Sequence, residues 1–216
     1  MTKKIEKFVE KDWIKVYKDY VLRFGELVND LKTLIQYADK PFIEFKTCFQ
    51  DLDSLEASIM EGYFKNALHV LKNDENLSSH NSREQHLAFL YVLMEMISED
   101  EVFLELFQRE KMKDPSFMLK LQSTLGKIEL SWGEIEGWKP EILEKLKLNP
   151  KQSILINHSL SCIVFYLKDK SNEKQDTDAY IEKTTDLLFK LSDTSTLNSM
   201  LDLGRFMFSR TKNAFC

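Results

Sequence analysis

Four histidines (His69, His80, His86, His158) and three cysteines (Cys48, Cys162, Cys216) are the side chains best suited to hold a metal or act as base or nucleophile. No two histidines stand four apart on one helical face and no Cys-x-x-Cys pair exists, so a metal site would need long-range convergence. The acidic pairs Glu134/Glu136 and Asp176/Asp178 sit in charged stretches that read as solvated surface. A P-loop, a G-x-G-x-x-G turn, an H-E-x-x-H helix and a G-x-S-x-G elbow are all missing. These residues predict no enzyme, no metal and no cofactor.

Contact chemistry is better represented than catalysis. Leu31, Leu34, Ile35 and Ala38 share one helical face, and Phe42, Phe45 and Phe49 follow at steps of three and four, all expected to face inward. Lys40, Ile43, Glu44, Lys46 and Thr47 then point away from the core. Further along, Phe89, Met94, Phe107, Trp132 and Phe165 supply large, adaptable apolar groups, with His158 and Cys162 as polar handles. Such a set suits the lining of an apolar pocket, and serves equally well as ordinary core.

The elements that must position these groups are helical. Of the 216 residues, 43% are hydrophobic and 30% charged, enough for a core and too apolar for disorder. Only six glycines and four prolines are present, too few for the corners of a β-sandwich, so the fold class is all-α. A net charge of −5 excludes attachment to DNA by bulk positive charge. The charged start is no secretory leader, the longest apolar run (residues 87–94) is too short to span a bilayer, and the scattered cysteines fit a reducing compartment. A cytoplasmic protein is expected.

About nine or ten helices are predicted. One ends at Gly25, two short ones flank Asp39–Lys40, and Pro41 is expected in the first turn of the second. Asp51 caps a long helix over 52–72, and residues 73–82 form a loop. Helices over 83–97, 99–110 and 115 to about 130 come next, then an irregular stretch and a short helix ending near 148. Helices from Pro150, over 178–191 and from Ser195 complete the chain. Two short helices braced by a long helix on either side, over residues 20–56, are the layout of a helix-turn-helix.

The run LKTLIQYADKPFIEFKTCFQDLDSLEASI (residues 31–59) resembles the DNA-binding domain of the tetracycline-repressor (TetR/AcrR) family of bacterial transcription regulators. Leu31, Leu34 and Ala38 correspond to its supporting helix, Phe45 and Phe49 to its recognition-helix anchors, and Asp53-Ser54-Leu55 to the opening of its connecting helix. Asp39, Ile43 and Glu44 stand where the family has a glycine, a small residue and a threonine. The segment DAYIEKTTDLLFKL…LDLGRFMF resembles a divergent TetR-like C-terminal domain of Bacteroidetes type.

The resemblance implies a helix-turn-helix domain over 1–51 and an effector-binding and dimerisation domain over 52–216. It implies operator DNA at Lys40, Phe42, Ile43, Lys46 and Thr47. A small apolar effector would lie among Phe89, Met94, Phe107, Trp132, His158, Cys162 and Phe165, and the homodimer would form through residues 151–169 and 177–192. A second reading stays open. Residues 1–56 carry 10 Lys/Arg against 11 Asp/Glu, and the tail sets Leu197, Met200, Leu201 and Phe206 beside Arg205, Arg210 and Lys212. A basic amphipathic helix of that kind lies on anionic membranes. The pattern resembles the coenzyme-Q-biosynthesis lipid-binding proteins, which share the TetR fold without its DNA binding.

Overall fold

Three of the four helices in the N-terminal third begin where an aspartate side chain accepts a backbone N–H. A computed structural model describes residues 8–74, 77–130, 132 and 150–191. Helix α1 (Glu10–Phe24) carries Glu10 and Asp12 in its first turn, where acidic groups favour the helix dipole, and Asp12 accepts the Val9 N–H at 3.0 Å. It stops at Gly25, whose φ of 70° is left-handed and whose N–H returns to the Val21 carbonyl. Asp30 caps α2 (Leu31–Ala38) by accepting the Thr33 N–H at 2.8 Å. Asp39 closes α2 at φ 49°, filling with an aspartate the left-handed position that favours glycine.

Helix α3 (Phe42–Cys48) has Pro41 at its N-cap, one position outside the first turn where the sequence predicted it. Asp51 caps α4 (Leu52–Lys72), accepting both the N–H and the hydroxyl of Ser54. The loop over 73–82 contains a 3-10 turn, Leu77–Ser79. An Asn81/Glu84 capping box opens α5 (Ser82–Ser98), followed by α6 (Glu101–Glu110) and α7 (Pro115–Leu125). Helix α7 ends five residues short of the predicted limit. Gly126 follows it, where any Cβ would lie 2.9 Å from the Gln122 carbonyl oxygen, and Lys127 and Ile128 turn back on the last helical carbonyls.

Helices α8 (Pro150–Lys168) and α9 (Gln175–Leu191) complete the described chain, joined through a 3-10 turn, Asn172–Lys174. The short helix predicted to end near 148 and the one predicted from Ser195 lie outside the described residues. Among those residues the fold is all-α, without a strand.

Helix α4 packs against α1, α5 and α7, and α8 and α9 pack on α5. Helix α6 touches α1, α5 and α8. Burial of Trp13, Tyr17, Phe45, Phe64, Phe89, Phe103, Phe107 and Phe117 makes one continuous apolar core from the first helix to Ile181 on the last. No helix among the described residues is long and apolar enough to cross a membrane.

Candidate functional site

The α1–α3 region is built on Trp13. Its ring meets Phe8 and Phe45 edge to face, at centroid distances of 5.3 and 5.2 Å, and Phe45 in turn packs on Phe49 at 5.6 Å. Phe45 and Phe49 are buried, so α3 is pinned by the two anchors expected. Phe42 departs from the expected inward position. The edge of Trp13 is already occupied by Phe8 and Phe45, and Phe42 stays outside, half in solvent, next to the still more exposed Ile43.

The polar groups of this surface are engaged locally. Lys46 is exposed; its ammonium sits 5.3 Å from the Phe42 ring centroid and donates to the Gln50 carbonyl. The exposed Thr47 donates its hydroxyl to the Glu44 carbonyl at 2.7 Å. Lys40 is partly buried, with its ammonium 4.5 Å from the Phe8 ring centroid. The Glu44 carboxylate accepts the Phe8 N–H at 3.4 Å, and the Cys48 thiol lies 3.8 Å from the Phe8 carbonyl. The five residues predicted to meet DNA thus lie together on α3 and the turn before it, around Phe8.

The predicted effector residues divide among separate places. Phe89 and Trp132 pack at 5.5 Å beside His86, and His158 and Cys162 join them from α8. Trp132 donates its indole N–H to His86 Nδ1 at 3.3 Å, and His86 Nε2 lies 3.0 Å from His158 Nδ1. His158 Nε2 lies 2.8 Å from the Thr184 hydroxyl, which donates to the Tyr180 carbonyl at 2.6 Å.

An indole can only donate and a carbonyl can only accept, so the proton on each imidazole is fixed. Both histidines are neutral with the proton on Nε2, each donating onward. A proton added to either Nδ1 would face another N–H. Burial lowers the pKa of His86 to about 3, helped by the neighbouring His158, and burial lowers that of His158 to about 4. Burial pushes the Cys162 thiol up to about 12, so it is no ready nucleophile. Long-range convergence of histidines does occur, yet no group of three possible ligands is placed to hold a metal among the described residues.

Phe107 belongs instead to an aromatic column of Phe103, Phe107 and Phe117 that reaches Tyr17 on α1. Met94 is buried in the core. Phe165 stacks on Tyr180 at 4.2 Å and lines a groove of about 840 Å³ between α7, α8 and the start of α9. Met112, Met118, Leu160 and Val164 complete its apolar wall, and Lys113, Lys168 and Lys170 stand at its edge. The sequence suggests Phe165 and Met118 as large apolar groups suited to a pocket, without bringing them together. The available signal was Met112 and Met118 on either side of the Lys113–Pro115 break, but periodicity does not tell that they face α8.

Two ionic clusters join α1 to the rest. Tyr17 donates to Glu56 Oε1 at 2.6 Å, and Lys111 Nζ lies 2.8 Å from Glu56 Oε2, as an ion pair rather than a well-directed hydrogen bond. Lys111 also reaches Asp53 at 2.7 Å. Burial raises the pKa of Glu56 against the pull of Lys111 and Tyr17, while the two carboxylates outweigh burial at Lys111 and raise its own. From the adjacent position on α1, Lys18 bridges Asp100 (2.6 Å) and the Tyr63 hydroxyl (2.9 Å), and Tyr63 donates to Asp100 at 2.7 Å. Lys18 and Tyr63 overcome burial to hold Asp100 below its usual range.

A family model described as the tetracyclin repressor-like, C-terminal domain matches residues 85–207, more than half of the chain and the part that carries the histidine pair and the groove. No curated protein and no solved structure gives a significant match.

Proposed function

Since the chain belongs to the tetracyclin repressor-like family, we propose that it regulates transcription as a homodimer, holding operator DNA through α2 and α3 and releasing it when a small apolar effector binds among the C-terminal helices. One observation carries this reading. Outside the family match, α2, the Asp39 turn and α3 stand on the Trp13–Phe45–Phe49 platform with Phe42, Ile43, Lys46 and Thr47 on the open side. In this reading residues 1–51 form the DNA-binding domain and residues 52–216 the effector and dimerisation domain. Lys40 and Lys46 serve phosphates, and the groove beside Phe165 receives the effector. Helices α8 and α9 pair across a two-fold axis that sets two α3 helices about one DNA turn, roughly 34 Å, apart.

Release follows from a population shift. The effector binds more tightly to a conformer whose two α3 helices are wrongly spaced, and operator affinity falls by the same coupling. The test is a fluorescence-anisotropy titration against DNA flanking the protein's own gene, across a salt series, with the mass in solution measured alongside. Saturable, sequence-selective binding whose log K falls with log salt is expected from a dimer, and Lys46→Glu is expected to weaken it at least tenfold. No binding even at low salt overturns the reading. The neutral charge balance of residues 1–56 would then favour the lipid-binding alternative, tested by vesicle binding that disappears when residues 197–216, outside the described residues, are deleted.

A further inference from the structure

Two adjacent large apolar side chains stand in solvent at the start of a seven-residue helix, Phe42 at 52% and Ile43 at 68% exposure. Side chains of that size in a pair on a rigid platform mark a contact surface. The polar groups around them are largely spoken for. Glu44 is turned aside by the Phe8 N–H, the Thr47 hydroxyl proton goes to the helix's own carbonyl, and the Lys46 ammonium caps Gln50. The segment FIEFKTC contains no Arg, Asn or Gln. Of the side chains that read guanine and adenine edges bidentately it has only Lys46, whose ammonium is already donated to the Gln50 carbonyl. Residues 40–50 carry Lys40 and Lys46 against Glu44 alone, so the patch is an apolar face with a slight positive charge.

In the major groove one base edge offers an apolar group, the C5-methyl of thymine; the minor groove offers none. We propose that α3 reads its site through thymine methyl groups, with Ile43 and Phe42 as the specificity-determining side chains and with Lys40 and Lys46 confined to phosphates. This rests on the DNA-binding reading above. It fits a reading helix that has no Arg, Asn or Gln and whose Lys46, Thr47 and Glu44 are engaged by Gln50, the helix's own carbonyl and the Phe8 N–H.

The experiment starts by enriching bound sequences from a randomised duplex library with the full chain. Each recurring thymine is then replaced singly by deoxyuridine, which removes the methyl and leaves the hydrogen-bonding edge unchanged. Binding is expected to weaken about fourfold at each methyl in contact with α3. Ile43→Ala is expected to bind the thymine duplex more weakly and to lose the thymine–uracil difference at one position. Its helix content and melting midpoint should match the parent, because Ile43 is exposed. An enriched site bound equally well with thymine or uracil overturns the methyl reading and leaves the regulator standing. Absence of binding to any duplex at low salt overturns both, and assigns the apolar patch to some other partner.

Discussion

Glu56 is the side chain with most at stake where it sits. Its carboxylate is buried, and Tyr17 and Lys111 are what make its charge tolerable there. Removing the cation while leaving the acid is costly in such settings, so Lys111→Met is expected to lose about 3 kcal/mol of stability, measured by urea denaturation. Because the folded-state pKa of Glu56 is raised, the unfolded chain releases this proton first, and the carboxyl opposes folding increasingly as the pH rises from its ordinary 4.5 to the raised value. The Lys111→Met deficit should therefore shrink as the pH is lowered toward the Glu56 titration.

The histidine pair has the opposite sign. Both pKa values fall below the ordinary 6.5, so the unfolded chain takes up protons that the folded chain refuses. Stability is expected to fall by about 2 kcal/mol for His86 between pH 7 and pH 5, and by less for His158, which is only partly buried. Urea midpoints at the two pH values measure this. A double His86→Phe, His158→Phe variant should lose most of the dependence, whatever its absolute stability.

At the scale of the elements, what the sequence disclosed was what neighbours in sequence decide. Gly25 and Asp51 announced the end of α1 and the start of α4, because caps act on backbone groups within about one turn. Asp30, which caps α2, carries the same kind of local signal, which the predicted limits leave out. The longer α7 that the sequence predicts ignores a local stop, Gly126 with Lys127 and Ile128 turned back on the last carbonyls. The inward Phe42 it predicts depends instead on a spatial neighbour, a Trp13 ring already packed by Phe8 and Phe45. His86 and His158 are 72 positions apart, and Glu56 and Lys111 are 55, so no local spacing reveals either pair. The turn between α2 and α3 gives a prediction at this scale. Asp39 holds a left-handed backbone at φ 49°, which glycine adopts without penalty. Asp39→Gly is expected to raise stability by about 0.5–1 kcal/mol, seen as a higher melting midpoint.

Taken as a whole, the molecule does not divide cleanly between α3 and α4. The apolar core is continuous, Tyr17 meets Phe103 edge to face at 6.3 Å, and both ionic clusters fasten α1 to the helices beyond it. A single cooperative unfolding transition is expected. Of the three tryptophans, Trp13 reports the head and Trp132 the body. Variants retaining one or the other should give coincident urea transitions. Adding Asp100→Asn and Lys111→Met together, which opens both clusters, should pull the Trp13 transition to lower denaturant while Trp132 holds.

The file of hydrogen bonds from Trp132 through His86, His158 and Thr184 to the Tyr180 carbonyl has a direction as well as a length. Its first member has no lone pair to offer and its last has no proton, so it cannot run backwards. Apolar helices slide over one another among many stackings of similar energy. Here a slip of one residue breaks the bonds from His86 to His158 and from His158 to Thr184, and leaves the buried His86 without its partner. The arrow is thus an orientation key. It singles out one stacking of α5, α8 and α9 from a set that grease alone would leave degenerate.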